Sequence, residues 1–423
     1  MSVDRRFALL RHDHGFGDPE PISLSSVADG DILQYDSATG KFVNLGFPAS
    51  PASGDMLLFD GTDWVSRPAN NGTNLIRNGG FDIWQFGTSF TSLSASTNVI
   101  ADRWYYICNG AGVATCGRGS TYNADLGGSQ YHMECAPTTV DSSIAAGDYY
   151  YFEYRMEGVE CLGLALGQAE ARTVTLSFSH LHTVTGTYCV SFVNSTNSRA
   201  YVAEYTHSAA DTWERSTVTL TLCTDGTWLT SAGAIGLKIR WAIAAGSTYQ
   251  TTADSWQTGG GFLATSNQAN GMSSTSNDNR IAAVKLEIGS YATPFEKEDF
   301  NATLANAQRY RCSNFPNETV PADGAINVAG PPTTAYATTQ SRAMVQFPVK
   351  MCKNPTITFY QPITGATAGV WAYYLGGWTD GTSMGTANIS TLGFWAQVND
   401  SGAGFTAGNS YITYGPYKAV ATL

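Results

Sequence analysis

Apolar and polar residues alternate along several stretches of the chain, which is the pattern of β-strands that bury one face. The clearest stretches are 173–179, 216–222 and 235–241, and further strand-like stretches follow at 343–349, 355–360 and 393–398. Residues 299–311 (DFNATLANAQRYR) form the one convincing helix, with Asp299 or Asn301 as its N-cap. We therefore predict an all-β protein with one short helix.

A pattern of strand, Asp/Gly turn and short aromatic strand occurs twice near the N-terminus, at 28–44 and at 52–66. Each copy predicts a β-hairpin. One hairpin is too small to hold a core alone, so such copies are expected to stack on one another or to trimerise. Residues 47–53 and 66–73 are predicted linkers.

These patterns divide the chain into five predicted segments. They are an N-terminal arm (1–20), a shaft of hairpin repeats (21–73), a long β-domain (74–298), a linking helix (299–312) and a last β-domain (313–423).

The composition agrees with an all-β protein and narrows the partners. Charged residues make up only 13% of the chain, whereas about 25% is usual. Residues 301–423 contain six Lys/Arg and four Asp/Glu, so this part carries +2 and the first 300 residues carry −13. The net charge of −11 argues against nucleic acid as a partner. We also expect no membrane span and no signal peptide, because no long apolar run occurs.

Eight cysteines occur, and no pair has CxxC spacing, which argues against a zinc knuckle. Most lie in strand-like stretches. We predict buried free thiols that pack as small apolar side chains, with disulfides as the open alternative.

Four phrases resemble modules of bacteriophage tail fibres and receptor-binding proteins. They stand in the order found in that family: 74–85 (NLIRNGGFDIWQ) with 101–104 (ADRW), 284–289 (VKLEIG) followed by 292–296 (ATPFE), 308–310 (QRY), and 345–351 (VQFPVKM) with 354–356 (NPT). Residues 366–423 match no such phrase.

The resemblance implies a jelly-roll β-sandwich at 74–298, a C-terminal β-sandwich tip at 313–423 and a homotrimer. It also implies display on a virion, attachment to other tail or baseplate proteins through the N-terminus, and host-surface polysaccharide as the ligand. Receptor specificity in this family usually lies in the tip.

His12 and His14 flank Asp13 in an extended stretch, so both side chains point to one face. On a trimer axis three chains would direct six imidazoles at one point, an octahedral nitrogen site that suits a transition metal ion. The alternatives are solvated histidines or contacts to a virion partner. His180 and His182 have the same spacing but no obvious axial setting.

Aromatic residues cluster near the C-terminus, where flat rings beside polar side chains suit a carbohydrate ligand. The candidate ligand-binding residues are Trp371, Tyr373, Trp378, Asp380, Trp395, Tyr411 and Tyr414.

Alternation places Trp371 and Tyr373 on one face of a strand and Tyr374 on the other, so one of these sets is expected in a core. Trp378 and Asp380 lie in a turn-like stretch and are expected to be better exposed. By contrast, Phe81, Trp84 and Trp104 are expected in the core of the long β-domain.

We expect no enzyme activity, because the acidic residues form no recognisable pair and neither a GxSxG elbow nor a P-loop occurs. The first hypothesis is a virion tail-fibre adhesin that recognises host glycan. The second is a purely structural virion component, such as a head fibre, decoration protein or baseplate spacer. The third is a capsule depolymerase.

Overall fold

The structure is a computed structural model that describes residues 72–120, 128–362 and 367–423 and the backbone of four strands before them. Residues 1–69 and 70–423 form two separate compact units. Within the described residues, no helix is long and apolar enough to cross a membrane.

The first unit contains two antiparallel hairpins. Strand β1 (Ile32–Asp36) pairs with β2 (Lys41–Leu45), and β3 (Asp55–Phe59) pairs with β4 (Trp64–Pro68). The two predicted hairpins are thereby confirmed. Their stacking or trimerisation stays a prediction.

The second unit begins with a β-sandwich of the jelly-roll type. Its strands are β5 (Ser89–Leu93), β6 (Thr97–Val99), β7 (Trp104–Asn109), β8 (Val113–Ser120), β9 (Tyr131–Thr139), β10 (Tyr149–Glu157), β11 (Thr173–His182), β12 (Gly186–Val193), β13 (Arg199–His207), β14 (Glu214–Thr221), β15 (Ile235–Ala245), β16 (Trp256–Thr258) and β17 (Asn279–Ile288). Short 3-10 helices span Gly158–Leu164 and Ser247–Tyr249. In the described part, one sheet has the order β16-β13-β12-β15-β10-β7-β6 and the other β14-β11-β17-β9-β8-β5.

Large aromatic side chains fill the space between these two sheets. The Trp104 ring lies 4.8 Å from Phe81 and 5.3 Å from Trp241, measured between ring centroids. Trp241 in turn meets Phe178 of the opposite sheet at 5.8 Å. Phe81, Trp104 and Trp84 are completely or almost completely buried, which confirms their predicted place in the core. The indole N–H of Trp84 donates to the Phe81 carbonyl at 2.7 Å, so its polar atom is satisfied.

The outer face of the seven-stranded sheet is also covered. Tyr105, Tyr151 and Val202 on that face form a second apolar cluster with Leu263 and Ala264, which lie in the segment after β16. All five side chains are buried. This segment therefore packs against that sheet face and covers part of it.

The predicted helix is confirmed in position but is shorter than expected. Helix α1 spans Phe300–Gln308, and Asp299 caps it by accepting a hydrogen bond from the Ala302 amide at 2.9 Å. Arg309 already lies beyond the helix, where its side chain turns to the jelly-roll domain.

The remaining strands form the C-terminal β-domain. They are β18 (Arg311–Ser313), β19 (Thr333–Ala337), β20 (Gln340–Gln346), β21 (Thr356–Phe359), β22 (Ala372–Tyr374), β23 (Trp378–Asp380), β24 (Ser383–Ala387), β25 (Gly393–Asn399), β26 (Ser410–Tyr411), β27 (Thr413–Tyr414) and β28 (Tyr417–Val420). Among the described strands the sheet orders are β18-β28-β21, β24-β25-β20-β19-β26 and β23-β22-β27. Across residues 72–120, 128–362 and 367–423, the prediction of an all-β protein with one short α-helix is confirmed.

All eight cysteines lie in the two β-domains, and all are buried and free. The prediction of buried free thiols is therefore confirmed. Burial raises the pKa of the Cys189 thiol to about 11, so this side chain is a neutral thiol at pH 7.

A buried carboxylate connects the jelly-roll domain to the C-terminal domain. Glu157, at the end of β10, is only 1% exposed. It accepts hydrogen bonds from Arg309 Nε at 3.0 Å and Nη2 at 2.9 Å, from the Tyr310 hydroxyl at 2.6 Å and from the Gly233 amide at 2.6 Å. Burial opposes ionisation of Glu157, but the hydrogen bonds from Arg309 and Tyr310 outweigh it and hold its pKa below the usual value.

Replacing Arg309 with methionine tests this connection. Arg309→Met leaves the buried Glu157 carboxylate without its bidentate partner, so we expect the free energy of unfolding at pH 7 to fall by about 2 kcal/mol. Urea denaturation measures it. The control is Lys297→Met, which removes the ion pair of the exposed Lys297 Nζ with Asp82 at 2.9 Å and should cost less than about 1 kcal/mol. Equal losses in the two variants would contradict the special role of Glu157.

Candidate functional site

Two of the predicted sugar-binding residues lie in the core of the C-terminal domain. Trp371 and Tyr373 are fully buried. The Trp371 indole donates to the Pro416 carbonyl at 3.0 Å, and the Tyr373 hydroxyl donates to the Asp400 carboxylate. A surface ligand cannot reach these rings, so their assignment as ligand contacts is wrong. Alternation separated them correctly from Tyr374, which is 46% exposed.

Tyr411 is a third buried residue among the candidates. Its ring packs 5.1 Å from Phe405 and 5.9 Å from Tyr373, and its hydroxyl accepts the Thr406 amide at 2.7 Å. Its role is therefore internal packing, and its assignment as a ligand contact is also wrong.

Trp378 and Tyr414 lie on the two outer strands of the small sheet β23-β22-β27, and their rings meet on one face of it. Their rings stack at 3.8 Å with an interplanar angle of 19°, and Tyr374 meets Trp378 edge-on at 5.6 Å. Asp380 is directed elsewhere, since its carboxylate accepts the Thr367 amide at 3.0 Å. Trp378 and Tyr414 thus cover one another in part, and their contact with a ligand stays a prediction.

Trp395 occupies an open sheet surface. On strand β25, Phe394, Ala396 and Val398 are fully buried, while Trp395 between them is 38% exposed. The two-residue period of a strand therefore directs Trp395, Gln397 and Asn399 outward.

Neighbouring strands extend this surface in register. On β20, Met344 lies opposite Trp395, and Arg342 lies opposite Gln397. On the other side, Ala387 and Gly385 of β24 lie opposite Trp395 and Gln397. We call this surface the Trp395 face and define it by Tyr336, Gln340, Arg342, Met344, Ser383, Trp395, Gln397 and Asn399.

Hydrogen bonds across four strands hold the polar side chains of the Trp395 face. Gln397 Oε1 accepts from the Tyr336 hydroxyl at 3.0 Å and from Arg342 Nε at 2.8 Å. Gln397 Nε2 donates to Asn399 Oδ1 at 2.6 Å, and Asn399 Nδ2 donates to Ser383 Oγ at 3.1 Å. The amides are therefore fixed before any ligand arrives.

The chemistry of the Trp395 face suits a sugar. Trp395 and Tyr336, which is 46% exposed, offer apolar rings for the C–H faces of a sugar ring. Gln340, Gln397 and Asn399 offer donors and acceptors for its hydroxyl groups.

Sequence reasoning found Trp395 but missed Tyr336, Arg342 and the amides around it. The alternation of 340–346 and 393–399 would have placed Gln340, Arg342 and Gln397 on outward faces. Their meeting depends on the pairing of β20 with β25, which connects residues about 55 positions apart and has no local signal.

His12 and His14 lie outside the described residues, and their role in a metal site stays a prediction. The other His-x-His pair lies inside the jelly-roll domain. His180 and His182 are buried at one end of the sandwich, and their ring centroids lie 5.3 and 5.2 Å from that of His207.

Two of these imidazoles and a carboxylate come close enough to suggest a metal site. His180, His207 and Glu214 each offer a ligand atom, and these atoms lie within 4.8 Å of one another. However, His207 Nε2 accepts the backbone N–H of His182 at 3.3 Å, which places the ring proton on Nδ1. It is this Nδ1 that faces Glu214 at 3.8 Å, so no lone pair of His207 is directed at the carboxylate. This tautomer of His207 argues against a metal ion bound between it and Glu214, although Nδ1 of His180 and Nδ1 of His207 are buried without a hydrogen-bond partner among the described residues.

A second surface feature lies at the edge of the seven-stranded sheet. A cavity of about 330 Å³ is lined by Arg199, Asp225 and the half-buried Trp256. Arg199 is fully engaged there, because its Nε and Nη2 both bind the Asp225 carboxylate at 2.7 Å. The charges of this cavity are therefore already compensated.

No protein-family model matches the chain, and no curated protein sequence matches it. Solved structures give a distant likeness. The enzymatically active domain of bacteriophage CBA120 tailspike protein 4 is 11% identical over 51% of this chain and 21% of that chain, with a TM-score of 0.25. A CBM4 structure is 12% identical over 50% of this chain and 99% of that one, with a TM-score of 0.25.

A family 11 carbohydrate-binding module from Clostridium thermocellum, in complex with a β-1,3-1,4-mixed-linked tetrasaccharide, is a third example. It is 10% identical over 49% of this chain and 99% of that one, with a TM-score of 0.25. A likeness this low does not identify a ligand or an activity for this chain. Membership in the tail-fibre family stays a prediction.

The buried histidines make stability depend on pH. Burial and the neighbouring His207 lower the pKa of His180 to about 4, and burial also lowers the pKa of His182. Because the folded-state pKa is below the unfolded value of 6.5, the stabilisation is complete above pH 6.5 and is lost as pH falls towards 4. We expect each histidine to remove up to about 1.4 kcal/mol per pH unit in this window.

Urea denaturation at pH 7, 6 and 5 measures this dependence. His180→Gln should reduce the slope of the unfolding free energy between pH 6 and 5. Tyr205→Phe changes the same cluster without removing an imidazole and should keep the slope. An unchanged slope in His180→Gln would contradict the lowered pKa.

Proposed function

We propose that the protein recognises host-surface glycan through the Trp395 face, as a non-catalytic subunit of a virion tail fibre. The observation that carries this proposal is the pair of exposed rings, Trp395 and Tyr336, beside a row of amides that are held in place across four strands.

The energetics of such a face favour binding. Exposed aromatic residues are the side chains that most often dominate a binding free energy, with losses of about 2 kcal/mol or more on truncation. The amide side chains of Gln397 and Asn399 are already ordered, so binding loses less conformational entropy there.

The side chains of the face support binding without cleavage. Hydrolysis of a glycosidic bond by the usual route needs two carboxyl groups on either side of that bond. The residues that define the Trp395 face contribute aromatic, amide, guanidinium, hydroxyl and thioether groups. The proposal of a binding protein rather than a depolymerase rests on this composition.

The virion role and the homotrimer rest on the phrases that resemble tail-fibre modules and on the hairpin repeats. In this proposal the N-terminal arm attaches to other tail or baseplate proteins, and the C-terminal domain faces the host. The purely structural alternative predicts instead that the Trp395 face packs against another virion protein.

Adsorption assays with the full chain test this function. Purified protein should bind host cells and should compete with phage for adsorption. We expect Trp395→Ala to weaken cell binding at least tenfold, because it removes the larger of the two exposed rings. The matched control is Trp378→Ala, which removes an aromatic ring of nearly the same exposure, 37%, outside the face.

Thermal unfolding and circular dichroism verify that both variants are folded. If the wild-type protein neither binds host cells nor competes with phage, the structural alternative is favoured. If Trp378→Ala abolishes binding and Trp395→Ala does not, the ligand lies at the stacked rings of Trp378 and Tyr414 on β23-β22-β27.

A further inference from the structure

Arg342 is a charged residue at the centre of the Trp395 face, and its environment differs from that of the other arginines in the C-terminal half. Arg309 binds the Glu157 carboxylate, and Arg311 is buried near Asp102. Within the residues that the structure describes, Arg342 instead contacts the Tyr336 ring and Gln397.

The position of the Arg342 guanidinium is fixed from two sides. Its Nε donates to Gln397 Oε1 at 2.8 Å, and its central carbon lies 4.3 Å from the centroid of the Tyr336 ring. These two contacts occupy Nε and one face of the planar guanidinium group. The two terminal nitrogens thus remain for a ligand, as far as the described residues are concerned.

The chemistry of this group selects one kind of partner. A guanidinium with both terminal nitrogens accessible matches the two oxygens of a carboxylate, and such paired hydrogen bonds are shorter and stronger than neutral ones. Because the Arg342 guanidinium is already oriented, less side-chain entropy is lost for each hydrogen bond that it forms with a ligand.

The pairing register places Arg342 close to Trp395 on the sheet surface. Arg342 lies opposite Gln397, and Trp395 lies two residues before Gln397 on the same strand. Such diagonal neighbours in an antiparallel sheet are separated by about 7–8 Å. A sugar stacked on Trp395 therefore places its own substituent, or the next sugar of the chain, beside Arg342.

The distribution of charge along the chain favours binding of an acidic ligand to the C-terminal domain. Residues 301–423 carry +2, whereas the first 300 residues carry −13. An acidic polymer is repelled by the long N-terminal part and meets a weakly positive C-terminal domain.

From this arrangement we infer that the Trp395 face binds a carboxylate-bearing polysaccharide, with Arg342 pairing with the carboxylate and Trp395 stacking on the sugar ring. This inference rests on the proposed function and adds the chemical class of the ligand. Neutral glycan and a second copy of this chain are the other occupants that the test separates.

The test uses the full chain and a panel of hexuronic-acid and sialic-acid oligosaccharides, each paired with its carboxyl-reduced neutral counterpart. Isothermal titration calorimetry should show that the wild-type protein binds an acidic member at least about tenfold more tightly than its reduced form. The affinity for the acidic member should fall between 0.05 and 0.5 M NaCl, because salt screens the ion pair.

Arg342→Gln should remove most of the preference for the acidic member, measured as the ratio of its affinity to that of the reduced form. Arg342→Lys keeps the charge but loses the fork, and we expect an intermediate preference. Trp395→Ala should weaken both forms alike. Each variant is compared with wild type by thermal unfolding and by sedimentation, so that a folding defect is recognised.

The outcomes separate the inference from the proposed function. If wild type binds the reduced forms as well as the acidic ones and Trp395→Ala abolishes both, glycan binding stands and the acidic preference is wrong. If Arg342→Gln keeps the preference, Arg342 is not the carboxylate contact and the inference fails. If no member binds, or if Arg342→Gln changes only the oligomeric state, the face is not a site for acidic glycan.

Discussion

The buried carboxylate of Glu157 fixes how the two β-domains of the second unit are joined. An ionised group in this position is costly unless all its lone pairs are used, and here Arg309, Tyr310 and the Gly233 amide use them. Arg309 and Tyr310 directly follow helix α1, so the chain must leave the helix in one direction to satisfy Glu157. The short helix therefore does more than separate the two domains. It sets the position of the C-terminal domain against the jelly-roll domain.

Further contacts make this junction rigid. The Arg103 guanidinium lies 4.1 Å from the centroid of the Tyr310 ring and binds Glu160 at 2.7 Å. Arg155 on the same side donates to the Leu423 carbonyl at 2.6 Å. The C-terminal domain thus contacts the sandwich just before its first strand and just after its last strand. A binding face on such a domain is presented in a fixed orientation, and a fixed site loses less entropy when it binds.

Local sequence patterns predicted the secondary-structure elements better than the contacts between them. Strand alternation, the capped helix, the two hairpins and the buried Trp84 and Trp104 all follow from short-range rules. The same alternation separated Tyr373 from Tyr374 but did not tell which of them is buried, because both faces of β22 carry aromatic rings. The partnership of Tyr336 and Arg342 with Gln397, and of His207 with His180, depends on strand pairing and sheet packing between distant residues, which a single sequence does not specify.

Because the chain contains few charged residues, each charged side chain on its surface contributes more to recognition. In a domain with many mixed charges, one arginine on a sheet face is paired with a neighbouring acid and adds little to recognition. Here the face around Arg342 is built from amides and rings that orient the guanidinium without neutralising it. The aromatic residues that cluster near the C-terminus are divided between core and surface. Their number therefore does not indicate a binding site. The environment of one cation, Arg342, distinguishes the Trp395 face from the stacked rings of Trp378 and Tyr414 and from the cavity at Arg199, whose charge is compensated.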